Sequence, residues 1–111
     1  MLQNLRQTDL DAIISACEQA AASAPADPES GLLPLVARDS VYALVDALSR
    51  DAQDELLALM WTGGPKNENS FDQNLVLAQK VADDNHAEFL SEQAARLPDY
   101  LKEGLKRMGT Q

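Results

Sequence analysis

Basic residues, aromatics, histidine and cysteine are all scarce in this chain, and each shortage closes off a class of protein. A single cysteine, Cys17, permits no internal disulfide and suits a reducing, cytoplasmic setting. A single histidine, His86, leaves no His-based metal cage. No apolar run approaches about 18 residues, so no segment reads as membrane-spanning. The opening Met1-Leu2-Gln3-Asn4-Leu5-Arg6 lacks the basic and apolar regions of a signal peptide. Only nine Lys and Arg stand against 18 Asp and Glu, a net charge of −9. Residues 1–60 carry most of that excess, with three basic and ten acidic side chains. Such a surface repels phosphates, so direct nucleic-acid binding is not expected, and it attracts basic partners. The same excess also serves plain solubility.

What is present is aliphatic. Hydrophobic residues make up 45% of the chain and aromatics 5%, so the core must be Leu, Val, Ile and Ala, which favours helices over sheets. At 111 residues the chain has room for one core, and residues 1–111 read as one domain. Thr8 is placed to cap a first helix with Leu10, Ile13, Ile14, Cys17, Ala20, Ala21 and Ala24 on one stripe, ended by Pro25. Three of the five prolines follow between 25 and 34, which marks a Pro-rich connection at about 25–38. A second helix capped by Asp39 or Ser40 carries Val41, Leu44, Val45 and Leu48. Ser49 caps a third, which ends where Gly63 takes a left-handed position before Pro65. Ser70-Phe71-Asp72-Gln73 is a capping box opening a fourth helix, striped by Phe71, Leu75, Ala78 and Ala82 and widened by Leu77 and Val81. Asp84 or Asn85 caps a short fifth with Phe89, Leu90 and Ala94. Pro98 opens the last, with Leu97, Leu101, Leu105 and Met108 inward and Gly109 ending it. The expected architecture is all-α, a single-domain bundle of five or six short helices.

The third helix stands out. Projected at about 100° per residue, Ala52, Leu56, Leu57, Leu59, Met60 and Trp61 cover roughly half its circumference, which makes it central. The remaining strip, Asp51, Asp54, Glu55 and Ala58, reads as its solvated face. Three carboxylates so spaced repel one another by a few tenths of a kcal/mol per pair, and the helix dipole offsets some of that cost. They are the candidate contacts for a basic partner. Trp61, beside Gly63-Gly64-Pro65, reads as core, with an interface anchor as the alternative. Gly104 in the last helix costs about 1 kcal/mol relative to Ala, a sign of close packing against it.

Three segments carry a resemblance: Ala43-Leu44-Val45-Asp46-Ala47-Leu48, Glu55-Leu56-Leu57-Ala58-Leu59-Met60-Trp61, and Leu97-Pro98-Asp99-Tyr100-Leu101-Lys102-Glu103-Gly104-Leu105. From about residue 40 to 106 the chain resembles a bacterial family known as domain-of-unknown-function family 3775. The resemblance implies a bacterial helical protein and brings no activity with it. Two departures stand out. Family sequences tend to carry an Arg between the glycines after the Trp, where this chain has Thr62-Gly63-Gly64-Pro65-Lys66. They also tend to carry Gly-x-Pro before the last helix, where this chain has Ala94-Ala95-Arg96-Leu97-Pro98.

Chemistry-bearing patterns are few. There is no P-loop, G-x-S-x-G or G-x-G-x-x-G. Asp83, His86 and Glu88 give at most a weak, open metal site, and His86 reads better as a buried or capping residue. Cys17 has apolar neighbours and reads as a core thiol. No catalytic residue, cofactor or metal is assigned. The expected function is a small acidic, non-enzymatic protein-binding or regulatory module, with Asp51, Asp54, Glu55 and Trp61 as partner-binding residues. Its partner is another protein, with a basic surface where the carboxylates meet it, or a second copy of the chain. The alternative is an acidic nucleic-acid mimic that inhibits a nucleic-acid-binding protein, as phage inhibitors and antitoxin-like proteins do. A metal protein or enzyme ranks third.

Overall fold

A computed structural model describes residues 3–23, 35–65, 67–81 and 86–108 of the chain. Among them are six helices and no strand: α1 (Gln7–Ser23), α2 (Leu35–Asp46), α3 (Arg50–Thr62), α4 (Phe71–Gln79), α5 (Ala87–Glu92) and α6 (Leu97–Arg107). α3 packs on α4 and α6, α1 packs on α2 and α6, and α2 packs on α5. One contiguous core joins Leu10, Ile13 and Cys17 of α1 to Val41 and Val45 of α2, Leu56 to Met60 of α3, Leu90 of α5 and Leu97 and Leu101 of α6. No helix among the described residues is long and apolar enough to cross a membrane.

Local chemistry accounts for the starts of α3, α4 and α6. The Ser49 hydroxyl accepts from the Ala52 N–H at 3.2 Å and opens α3. Ser70 and Gln73 complete both halves of the capping box on α4. Pro98 sits in the first turn of α6, and Lys106 and Arg107 lie in its last turn, at the negative end of the dipole.

Elsewhere the structure departs from the spacing. α1 begins at Gln7, so Thr8 lies inside it, and the Asp9 carboxylate reaches back to accept from the Arg6 N–H at 3.1 Å. α2 begins at Leu35, four residues before the expected Asp39, so residues 35–38 are helix and not part of the Pro-rich connection. The expected caps Asp84 and Asn85, with Ala24, Pro25, Ala82 and Gly109, lie outside the described residues. Leu77 and Phe89 were placed on buried stripes but are 47% and 40% exposed. α4 turns Phe71 and Ala78 inward as expected, with Asn74 beside them, and leaves Leu77 outward.

Gly63 closes α3 in the right-handed region, at φ −83° and ψ −3°, so it is not the left-handed terminator the sequence suggested. What requires glycine there is proximity. A Cβ on Gly63 would overlap the Tyr100 carbonyl oxygen and stand 2.7 Å from the Gly104 nitrogen. A Cβ on Gly104 would in turn overlap the Leu59 carbonyl oxygen and stand 2.9 Å from the Leu59 Cδ1. The backbones of α3 and α6 therefore cross in contact, glycine against glycine. The close packing expected at Gly104 is this crossing.

Cys17 is fully buried, and burial, assisted by neighbouring Glu18, pushes its thiol from 9.0 up to about 12. Below pH 9 both the folded and unfolded chains keep that proton, and its contribution to stability is complete. Between pH 9 and about 12 only the unfolded chain can ionise it, so stability must fall with rising pH. Urea titrations of the native chain and Cys17→Ala should therefore diverge above pH 9, the native chain losing stability more steeply. Parallel pH profiles would show that the thiol ionises freely in the folded state.

Candidate functional site

Every polar side chain on the first half of α3, Asp51 apart, is tied to a distant part of the chain. The Glu55 carboxylate is 2% exposed and faces the arm that precedes α1. Its Oε1 accepts from the backbone N–H groups of Gln3, Asn4 and Leu5 at 3.0, 3.0 and 2.9 Å. Its Oε2 accepts from the Asn4 N–H and side-chain amide, both at 3.0 Å. Successive amides converging on one carboxylate form an anion nest built from the protein's own chain.

One residue earlier, Asp54 Oδ1 lies 2.9 Å from Arg50 Nε and 2.8 Å from His86 Nε2. Arg50 also donates to the Val81 carbonyl at 2.9 Å, just past the end of α4. Gln53 accepts from the His86 N–H at 2.8 Å at the start of α5. Its amide nitrogen donates to Val45 and Leu48 carbonyls at the end of α2. α3 thus holds the ends of α2, α4 and α5 and the N-terminal arm through four consecutive or near-consecutive side chains. These bonds satisfy backbone groups that helix ends leave orphaned.

This arrangement corrects the reading of the acidic strip. Asp54, Glu55 and Ala58 were assigned to a solvated face, yet all three are buried, and only Asp51 remains at the surface. Helical projection sorts polar from apolar but cannot see donors arriving from residues 3–5 and 86. Sequence reasoning also missed Gln53, for which spacing gave no signal, and Arg50, whose i,i+4 spacing to Asp54 was the signal available. The lone His86 was read as buried or capping; it is 1% exposed and makes no side-chain cap bond. Asp54 beside His86 has the outline of an acid–base pair, but among the described residues no hydroxyl or thiol nucleophile is bonded to either. Among the described residues no three His, Cys, Asp or Glu side chains converge in a way that could hold a metal ion. Asp83 lies outside those residues.

Replacing Glu55 by Gln keeps the shape but leaves one acceptor where two faced a row of donors. The expected cost is about 2 kcal/mol in urea unfolding, with faster amide exchange at Gln3, Asn4 and Leu5. Unchanged exchange at those three amides would show that the arm is held by something else.

The other end of α3 is open. Met60, Trp61, Gly64 and Pro65, with Leu77 of α4 and Tyr100 of α6, line a groove of about 810 Å³ walled by Asn67, Glu68, Asn69 and Asn74. Trp61 is half-buried, packed on the core on one side and lining this groove on the other. Asn74 donates to the Thr62 hydroxyl at 3.0 Å and to the Asn67 side-chain oxygen at 3.1 Å. Arg107 donates to the Thr62 and Gly64 carbonyls at 2.8 and 3.0 Å, closing the last turn of α3 from α6. The groove is therefore fixed on both flanks.

A model of the family described as a protein of unknown function, DUF3775, matches residues 38–110. The chain belongs to DUF3775. No curated protein and no solved structure matches it. The DUF3775 region takes in α3 to α6, the Asp54–His86 pair and the whole groove. It leaves out α1 and the arm clasped by Glu55, so that carboxylate binds a segment beyond the DUF3775 match.

Proposed function

We propose that the protein is a non-enzymatic binding module that receives a segment of another protein in the groove beside Trp61. The observation that carries this reading is the groove itself, an open apolar concavity of about 810 Å³, within the range of pockets that take ligands. Exposed Leu77 of α4 contributes to that apolar surface. The groups an acid–base mechanism would draw on point the same way. Asp54, Glu55 and His86 are buried and bonded to one another or to the chain. A nucleic-acid mimic draws less support, since Asp54 and Glu55 are withdrawn from the surface that would imitate phosphates.

The test compares native protein with Leu77→Asp, a change at an exposed helix position that should leave the melting temperature within a few degrees. Both are used as bait in the cells the protein comes from, and retained proteins are identified by mass. A partner held by the native chain and lost by Leu77→Asp is the expected result. Identical retention by both baits would move the binding surface away from the groove.

A further inference from the structure

Building on the groove as the binding surface, we infer that its occupant is a cationic amphipathic segment, one that seats an apolar side chain against Trp61 and sets a Lys or Arg over Glu68. The floor is largely apolar: Met60 and Trp61 of α3, Leu77 of α4, Pro65 and the ring of Tyr100. Most of the polar wall is spent internally. Asn67 donates to the Thr62 and Asn69 carbonyls at 3.3 and 2.7 Å, and its side-chain oxygen accepts from the Asn69 N–H and from Asn74. Asn69 donates in turn to the Asn74 side-chain oxygen at 3.4 Å. A wall whose amides already satisfy one another gives shape and rigidity, and little further hydrogen bonding.

Glu68 is different. Among the described residues it is the one carboxylate on the lining, it is exposed, and no Lys or Arg lines the groove; Arg107, which shares the neighbouring cleft with Glu68, is engaged by Glu103 and by the Thr62 and Gly64 carbonyls. The chain as a whole carries a net charge of −9, which favours the approach of cations over anions. A second copy is a poorer occupant, because it brings another −9 against the same rim. An acidic or uncharged apolar segment would leave Glu68 unmatched at the edge of a buried contact.

Trp61 is the only tryptophan, so its emission reports directly on the groove of the full chain. Three Trp-free probes of about 14 residues separate the contributions: a helix with Leu on one face and Lys on the other, the same helix with Glu for Lys, and oligolysine. The Leu/Lys helix should shift Trp61 emission saturably, with affinity falling about tenfold between roughly 50 and 500 mM salt. The Leu/Glu helix and oligolysine should leave the emission unchanged. Glu68→Lys should weaken Leu/Lys binding by about tenfold, a change of about 1.4 kcal/mol. Asp11→Lys, the same charge reversal at an exposed site on α1, should weaken it by less than about threefold.

Equal losses in the two variants would reduce the effect to net charge and overturn the assignment to Glu68. A Leu/Glu helix that titrates Trp61 as tightly as Leu/Lys would overturn the cationic occupant while leaving the groove as the binding surface. If no probe moves Trp61 and Leu77→Asp loses no partner, the groove reading itself falls. Concentration-dependent dimers in sedimentation that Leu77→Asp abolishes would give the groove to a second copy and overturn the proposal.

Discussion

Replacing Gly63 with alanine is expected to cost about 3 kcal/mol or more, the largest loss from adding a single methyl in this chain. The new Cβ would run into the Tyr100 carbonyl and approach the Gly104 nitrogen to 2.7 Å. Both obstacles are backbone, so no side chain can swing aside. α3 and α6 would have to part, and the Leu59 and Leu101 contacts with them. Gly104→Ala meets the Leu59 carbonyl from the other side and should behave alike, although alanine is otherwise worth about 1 kcal/mol more than glycine inside a helix. Gly64 is the internal control. Its Cβ would stand 3.2 Å from the Trp61 carbonyl, a contact that a small adjustment relieves, so Gly64→Ala should stay within about 1 kcal/mol of the native chain. Urea unfolding of the three variants, followed by helical circular dichroism, decides the matter. Equal stabilities at positions 63 and 64 would mean that the helices do not cross in contact.

Asp54→Ala should rank beside it, at about 3 kcal/mol, because it takes the carboxylate away from an enclosed ring nitrogen. His86 is fully enclosed and would lose its partner at Nε2, whereas Arg50, a third exposed, keeps the Val81 carbonyl and can turn toward water. Asp54→Asn keeps one oxygen to accept from either neighbour and should cost about half as much. Thermal melts of both variants check this: a drop of about 10 °C or more for Asp54→Ala marks a structural lock, and an unmoved melt would show that the pair contributes little to the fold.

Helix count and class were legible because aliphatic spacing and caps are local signals. Ser49, Ser70 with Gln73, and Pro98 each act within a turn of where they stand, and each was readable. The start of α2 was misplaced because Asp39 and Ser40 have the chemistry of caps wherever they fall, and here they lie inside the helix. The candidate site was harder to read for a different reason. Asp54 and Glu55 were singled out for the right feature, carboxylates on a central helix, and given the wrong surroundings. Arg50 stands one turn from Asp54, but the other donors come from residues 32 positions later and about 50 positions earlier, distances over which spacing carries no information. Trp61 was read as core with an interface role in reserve, and it lies at the boundary, half in the core and half in the groove.

The Glu55 clasp also bears on how the native state is lost over time. It joins residues 3–5 to residue 55, closing a loop of about 50 residues, and such long-range contacts form only after much of the chain is ordered. A contact made after the rate-limiting step leaves the folding rate alone and sets the unfolding rate. In a chevron plot, Glu55→Gln should therefore steepen nothing and shift only the unfolding limb upward. A slowed folding limb would place the clasp in the nucleus instead. The carboxylate is thus a latch whose measure is the lifetime of the folded protein.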